Sequence, residues 1–290
     1  MGEAPEHNAV QAEYWEGRSS SWIEAEDYTT LVTGSFGRRA MDGLALEPGH
    51  RVLDVGCGTG PSTVELARRV APRGTVRGID IAPSMLTAAQ VRADREGADT
   101  VEFVVGDAQC DDIGDGIFDI VFSQFGVMFF SDPAAAFANL RRALRGGGRI
   151  GFACWQDLFA NEWMFVPGSA VVAVMGAFPS MPGPGEPGPF SFSDPALVEQ
   201  LLRGAGFRSI EVVPHTEEVV VSADQLEMVV QAACRVGAVR EALESNDDPA
   251  VREQLRSAVR EALSERVHDG DLRLGAAAFI VTAEAEEVRA

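Results

Sequence analysis

The chain has 290 residues, of which 46% are hydrophobic and 23% charged, a composition that can bury a large core and is not that of a disordered chain. All 24 basic residues are arginine, which excludes reactions that need a Schiff-base lysine and phosphate sites that need a P-loop lysine. The net charge of −20 disfavours nucleic acid as a substrate, because phosphate backbones repel an acidic chain.

Cysteine usage and the N-terminal sequence bear on the cellular compartment. The four cysteines are far apart and form no CxxC pair, which predicts neither a disulfide framework nor a metal site. The first residues lack the basic and apolar regions of a signal peptide, and no apolar stretch is long enough to span a bilayer. We therefore expect a reduced, cytoplasmic protein without a membrane span.

Short apolar runs alternate with amphipathic stretches through the first half of the chain. Residues 22–45 predict one or two helices, which Pro48 and Gly49 terminate. Predicted strands follow at 51–55, 75–80, 101–105, 117–122 and 148–154, and predicted helices lie between them at about 61–71, 83–96 and 133–145. This alternation is typical of βαβ units and a parallel sheet.

The alternation stops after Trp155. Residues 156–192 carry six prolines and predict a cap with a loop, whose segment 179–189 is either a lid or a solvated surface loop. A helix from Pro195, a strand over 207–221, a mostly helical stretch over 223–266 and a final strand at Gly275–Ala283 are expected next. The predicted divisions are a helical N-terminal cap (1–47), a binding core (48–155), the cap (156–192) and a C-terminal part with its helical insertion (193–290).

The strongest local pattern is the sequence Val-Leu-Asp-Val-Gly-Cys-Gly-Thr-Gly at 52–60. A strand ends in three glycines and a helix begins at Pro61, so the backbone can approach a ligand and the free N–H groups of the helix can meet an anion. A tight strand-to-helix turn is the alternative interpretation.

Polar residues follow three further strands. Asp80 closes the second strand twenty residues after Gly60, about where a Rossmann-type fold binds ribose hydroxyls, and Asp107 follows the third strand, where a carboxylate can accept from an adenine amino group. Ser123 and Gln124 end the fourth strand. Each of these residues is also compatible with an ordinary turn or strand end.

Taken together, these motifs resemble the class I S-adenosylmethionine-dependent methyltransferases, and within them the small-molecule enzymes related to ubiquinone and menaquinone C-methyltransferases. The resemblance is strong over about 48–155 and weaker over 8–30 and 190–283; Gly146 stands where the family usually has proline. It implies an α/β fold with a Rossmann-like seven-stranded sheet of order 3-2-1-4-5-7-6, strand 7 antiparallel, helices on both faces and a cap.

The resemblance also implies S-adenosylmethionine as cofactor and methyl transfer to a small, apolar metabolite, and it is compatible with a homo-oligomer. The implied cofactor-binding residues are Gly56, Cys57, Gly58, Gly60, Asp80, Ile81, Met85, Asp107, Ala108, Gln124 and Phe125. The alternative is a relative that binds S-adenosylmethionine without methylating, as a cyclase-like catalyst or a regulatory subunit.

No dedicated catalytic motif is present, which suits a displacement that needs mainly alignment and water exclusion. Glu162 and His215 are weak candidates for a general base, and a solvated loop carboxylate and a structural histidine are the competing interpretations. Weak candidates for the substrate pocket are Tyr14, Trp22, Met128, Trp155 and Phe190.

Overall fold

A mixed sheet forms the centre of the protein in a computed structural model that describes residues 6–178 and 182–287. The strands are β1 (Arg51–Val55), β2 (Thr75–Asp80), β3 (Val101–Val105), β4 (Phe118–Gln124), β5 (Leu144–Trp155), β6 (Phe207–Ser222), β7 (Val267–His268) and β8 (Asp271–Ala285). They are ordered β3, β2, β1, β4, β5, β8, β6, and the two-residue β7 pairs with β8. The first five strands run parallel, whereas β8 is antiparallel to β5 and β6. The predicted order is confirmed, with β8 as the inserted last strand.

Ten α-helices lie within the described residues. They are α1 (Glu6–Glu24), α2 (Glu26–Asp42), α3 (Pro61–Val70), α4 (Pro83–Glu96), α5 (Pro133–Ala143), α6 (Glu162–Met175), α7 (Pro195–Gly204), α8 (Leu226–Ala233), α9 (Gly237–Glu244) and α10 (Pro249–Ser264). Pro61 and Pro83 each occupy the first turn of a helix, where a missing N–H costs nothing. None of these helices is long and apolar enough to cross a membrane.

Burial explains why the central strands form a sheet covered on both faces. Strand β4 is buried at five of its seven positions, as expected for a parallel strand between two layers of helices. The N-terminal helix α2 packs on β4, β5 and β8 and contributes the fully buried ring of Phe36 to the core.

The structure differs from the sequence-based expectation at two element boundaries. The chain leaves the helical conformation at Leu144 and pairs with Phe118, so that α5 is shorter and β5 longer than expected. The first half of 156–192 forms α6, which packs against α9 and α10 despite the internal Pro167. Residues 179–181 of the expected lid lie outside the described residues, and the divisions at 47, 155 and 192 remain predictions.

Candidate functional site

One large cavity opens where the five parallel strands end. Its volume of about 340 Å³ lies in the range of small-molecule sites. Val55, Asp80, Gln124 and Trp155, which end β1, β2, β4 and β5, all line it, as does Gly106 just after β3. In open α/β sheets, the carboxyl ends of the strands are where ligands bind. Helices α1, α2, α6 and α9 close the cavity from the other side.

Most of the residues expected to bind a cofactor line this cavity. They are Gly56, Cys57, Gly58, Asp80, Ile81, Met85, Asp107, Ala108, Gln124 and Phe125. We call the part of the lining formed by Gly56–Gly58, Asp80, Asp107 and Gln124 the loop half. Gly60 lies outside the lining, contrary to the expectation from sequence. A Cβ there would lie 3.0 Å from the Cβ of Ala89 and 3.2 Å from the ring of Phe103, so Gly60 serves the packing of the helices on the sheet.

The two glycines of the loop that face the cavity are needed for different reasons. Both have positive φ, +65° at Gly56 and +54° at Gly58. A Cβ at Gly56 would lie 2.9 Å from the Cα of Gly126, which makes close backbone packing its role. A Cβ at Gly58 would meet no atom within 4 Å, so Gly58 faces open space into which a ligand can fit.

Asp80 presents a half-buried carboxylate to the cavity. Its Oδ2 accepts the N–H of Gly58 at 2.8 Å and its Oδ1 accepts the N–H of Ala82 at 2.9 Å. Burial raises the pKa of Asp80, and these backbone hydrogen bonds oppose the shift. Asp80 thus orders the glycine loop, and a carboxylate retains further lone pairs for ribose hydroxyls.

A second buried acid, Asp54, lies behind the loop and was not singled out from the sequence. It is fully buried, and its Oδ2 accepts the hydroxyls of Ser62 at 2.8 Å and Thr63 at 2.6 Å, while Oδ1 has no partner. Burial raises the pKa of Asp54 to about 7. Its position two residues before Gly56 is the sequence signal that could have pointed to it.

Helix α1 lies across the outer side of the loop half. The amide of Asn8 donates to Asp107, which also accepts the N–H of Gln109 at 2.9 Å. Farther along α1, Glu16 accepts the N–H of Ser84 at 3.1 Å and the hydroxyl of the same residue. These contacts join residues far apart in the chain, so no local pattern in the sequence could predict them.

Gln124 and Phe125 mark the inner end of the loop half. Gln124 donates to the hydroxyl of Thr33 at 3.1 Å and lies so close to α2 that a Cβ on Gly37 would be 1.7 Å from its Oε1. Phe125 has a φ of +61°, unusual for a residue with a side chain, and its ring stacks on Trp155 at 3.8 Å and 16°.

Aromatic rings continue the lining beyond Phe125. Trp163 lies 5.2 Å from Trp155, and Tyr28 lies 6.5 Å from Trp163, measured between ring centroids. We call the lining formed by Trp155, Trp163, Tyr28 and the apolar residues of α6 beside them the aromatic half. Of the expected pocket residues, Tyr14, Trp22, Met128 and Trp155 line the cavity, whereas Phe190 is buried in the core outside it.

The two candidate bases lie outside the cavity lining. Glu162 accepts the guanidinium of Arg266 at 2.8 Å and the N–H of Gly275 at 2.9 Å, which ties α6 to β8. His215 lies on β6, with Nε2 2.7 Å from Glu217 and its ring against Phe36. Both contacts are structural, and neither side chain reaches the aromatic half.

Comparisons with known proteins agree with this geometry. A family model described as a methyltransferase domain matches residues 52–148. The chain is 34% identical to nocamycin O-methyltransferase of Saccharothrix syringae over 67% of this chain and 71% of that protein. It is 32% identical to demethylmenaquinone methyltransferase of Thermus thermophilus over 59% of this chain and 80% of that protein. The solved structure of the YcgJ protein of Bacillus subtilis shares the fold, with a TM-score of 0.55 at 17% identity over 88% of this chain and 99% of that one.

The fold and the glycine loop at the strand ends define an S-adenosylmethionine-binding α/β enzyme. The chain belongs to the class I S-adenosylmethionine-dependent methyltransferases, as its likeness to these relatives shows. S-adenosylmethionine is its cofactor and the methylation of a small metabolite its reaction.

Proposed function

We propose that S-adenosylmethionine binds in the loop half and that the methyl acceptor is a small, apolar, ring-bearing molecule in the aromatic half. The observation that carries this proposal is that one continuous cavity is lined both by the glycine loop with its carboxylates and, beyond Phe125, by stacked aromatic rings. A flat apolar acceptor can stack on such rings with its reactive atom turned toward the loop half.

The residues of the loop half fit the cofactor. Gly58 leaves space beside the backbone, and Asp80 offers half-buried carboxylate oxygens to a ribose diol. Met85 and Ile81 line the cavity near Asp80 and would flank an adenine ring. When bound, S-adenosylmethionine supplies a methyl group that its sulfonium has already activated.

The protein's own contribution is alignment and the exclusion of water. Phe125 and Trp155 hold each other in a stacked pair, which fixes one face of the acceptor site. Because Glu162 and His215 lie outside the lining, we assign neither as a general base. An acceptor hydroxyl would then lose its proton to solvent before the transfer, and alignment of the resulting oxyanion with the methyl group lowers the barrier.

The names of the two related enzymes support a small-molecule acceptor. One is named for O-methylation of nocamycin and the other for methylation of demethylmenaquinone.

The net charge of −20 supports the further proposal that nucleic acid is not the substrate. The four free cysteines support a reduced, cytoplasmic location.

The test combines donor binding with product release. Calorimetric titration should detect binding of S-adenosylmethionine, and incubation with a panel of hydroxylated ring compounds should release S-adenosylhomocysteine. Trp155→Ala should retain donor affinity and lose turnover, because it removes the ring that Phe125 and Trp163 pack against in the aromatic half and leaves the glycine loop unchanged. Absence of donor binding, or faster turnover with polar, ring-free acceptors or RNA, would contradict the proposal.

A further inference from the structure

A carboxylate beside the glycine loop is left without a role by the proposed function. Glu26 begins α2 and lines the cavity. Its Oε1 accepts the hydroxyl of Thr59, the loop residue that follows Gly58, and pairs with Arg92 of α4 at 2.6 Å. Donors from two other segments therefore hold this side chain at the edge of the loop half.

The other oxygen of this carboxylate is free to accept a hydrogen bond. Across the part of the chain that the structure describes, Oε2 of Glu26 receives no hydrogen bond and is not one of the side-chain atoms that are buried without a partner. The side chain keeps 24% of its surface exposed, so Oε2 is an accessible acceptor. A carboxylate can accept at both oxygens, which leaves this one for a donor group of a ligand.

The position of Glu26 relative to the cofactor follows from a short series of contacts. Oδ2 of Asp80 accepts the N–H of Gly58 at 2.8 Å, and the next residue, Thr59, donates its hydroxyl to Glu26. A cofactor whose ribose meets Asp80 therefore has Glu26 at the next residue of the loop. The methionine part of S-adenosylmethionine, which extends from the ribose through the sulfur, would run along these loop residues toward Glu26.

Charge supplies an independent argument. The methionine part ends in an α-ammonium and a carboxylate, and a cation that leaves water needs an opposite charge close by. Within the described residues, the acidic side chains of the lining are Glu26, Asp80, Asp107 and Glu241. Asp80 and Asp107 follow the strands where ribose and adenine would bind, and Glu241 pairs with Arg18 at 3.9 Å between α9 and α1. Glu26 is the carboxylate that remains for the ammonium group.

We propose that Glu26 binds the α-ammonium group of S-adenosylmethionine through Oε2. This inference rests on the proposed function, which puts the cofactor in the loop half. Holding the far end of the cofactor restricts the flexible chain between the ammonium group and the sulfur, so that the methyl group stays aimed at the aromatic half. Glu26 is thus a binding residue that does not touch the methyl group itself.

Two ligands that differ in one group test the proposal: S-adenosylhomocysteine, and its deamino analogue, which keeps the carboxylate and lacks the ammonium group. Their dissociation constants are measured by titration calorimetry on the full chain. We expect the unmodified protein to prefer S-adenosylhomocysteine about tenfold, a difference that corresponds to about 1.4 kcal/mol. Glu26→Gln should reduce this preference severalfold and leave the affinity for the deamino analogue unchanged, because it removes the charge and keeps an acceptor for Thr59.

Glu241→Gln is the matched control, because it changes the same type of residue in the same cavity lining, but on α9. It should leave the preference for S-adenosylhomocysteine intact. A second variant, Arg92→Gln, keeps Glu26 and removes the cation that shares its Oε1. The preference should then be retained or increase, since the carboxylate has one competing partner fewer.

A purely structural role for Glu26 predicts that Glu26→Gln weakens the binding of both ligands equally. That result overturns the proposal, as does an absence of preference in the unmodified protein, a preference that survives Glu26→Gln, or a loss of preference in Arg92→Gln. A failure of the unmodified protein to bind either ligand would instead contradict the proposed function, so the two failures are distinguishable.

Discussion

The two halves of the cavity are built by different means. The loop half consists of turns that directly follow parallel strands, so its groups are held by the backbone geometry of the sheet. The aromatic half is assembled from α2, the end of β5 and α6, and its shape depends on how side chains from distant segments pack. On the proposed assignment, the cofactor would bind to rigid backbone, whereas the acceptor site would depend on side-chain contacts that can change without disturbing the sheet.

The largest expected effect concerns the pH dependence of stability that Asp54, the buried acid behind the loop half, should produce. Its pKa is about 7 in the folded chain and 3.8 as the reference value, so the folded state binds more protons than the unfolded state between these pH values. Stability should therefore fall as pH rises from about 4 to about 7, by on the order of 4 kcal/mol.

Asp54→Asn should remove that part of the pH dependence, as followed by urea unfolding across the range. Asp119→Asn is the control, because Asp119 lies at the start of β4, at the far edge of the sheet from the glycine loop, and is paired with Arg145 at 2.6 Å. The same slope in both variants would show that Asp54 does not titrate in this way.

The next effect tests whether the loop half holds the cofactor through Asp80. Asp80→Ala should weaken binding of S-adenosylmethionine about 100-fold or more, since two charge-assisted hydrogen bonds contribute about 1.5–3 kcal/mol each. Asp80→Asn keeps one acceptor oxygen, so its affinity for S-adenosylmethionine should lie between that of the unmodified protein and that of Asp80→Ala. Titration calorimetry measures both, and near-normal affinity of the alanine variant would remove Asp80 from the site.

A smaller effect separates the ligand space of the loop half from backbone strain. Gly58→Ala should weaken donor binding about tenfold, because the new Cβ enters the space beside the ligand. Gly97→Ala is matched to it, with a φ of +66° and no atom within 4 Å of the added Cβ, but it lies at the end of α4 away from the site. Each should lose about 1–2 kcal/mol of stability, and only the first should lose affinity. Equal donor affinity in both would make Gly58 a turn residue only.

The smallest effect tests how the proline-rich segment 179–189 contributes to the aromatic half. Within it, Gly188 donates to the carbonyl of Met128 at 3.1 Å, and Pro189 lines the cavity. Replacing 182–188 with a Gly/Ser linker should leave donor affinity unchanged, raise the acceptor KM severalfold and lower kcat, because alignment is lost. Unchanged steady-state kinetics would favour a solvated surface loop over a lid.

The same contrast determines what the sequence could predict. Strand order followed from the resemblance to the methyltransferases, and the lining of the loop half followed from local patterns, since a residue directly after a parallel strand must lie at the ligand edge. Gly60 has the same local pattern but packs against Ala89, which only the folded helices reveal. The pairing of Tyr28 with Trp163 joins residues far apart in the chain, and no periodicity or spacing encodes it. The same limit applies to Glu162, whose partner Arg266 lies beyond α10.

The contact between Gly37 and Gln124 has a consequence for protein engineering. Any side chain at position 37 would displace Gln124 or push α2 away from the sheet, because a Cβ would lie 1.7 Å from the amide oxygen. A library that varies the cavity-facing residues of α2 to accept new substrates should therefore keep position 37 constant. The useful diversity lies before it, at Thr29 and Thr30, which line the cavity and whose side chains can change without displacing Gln124.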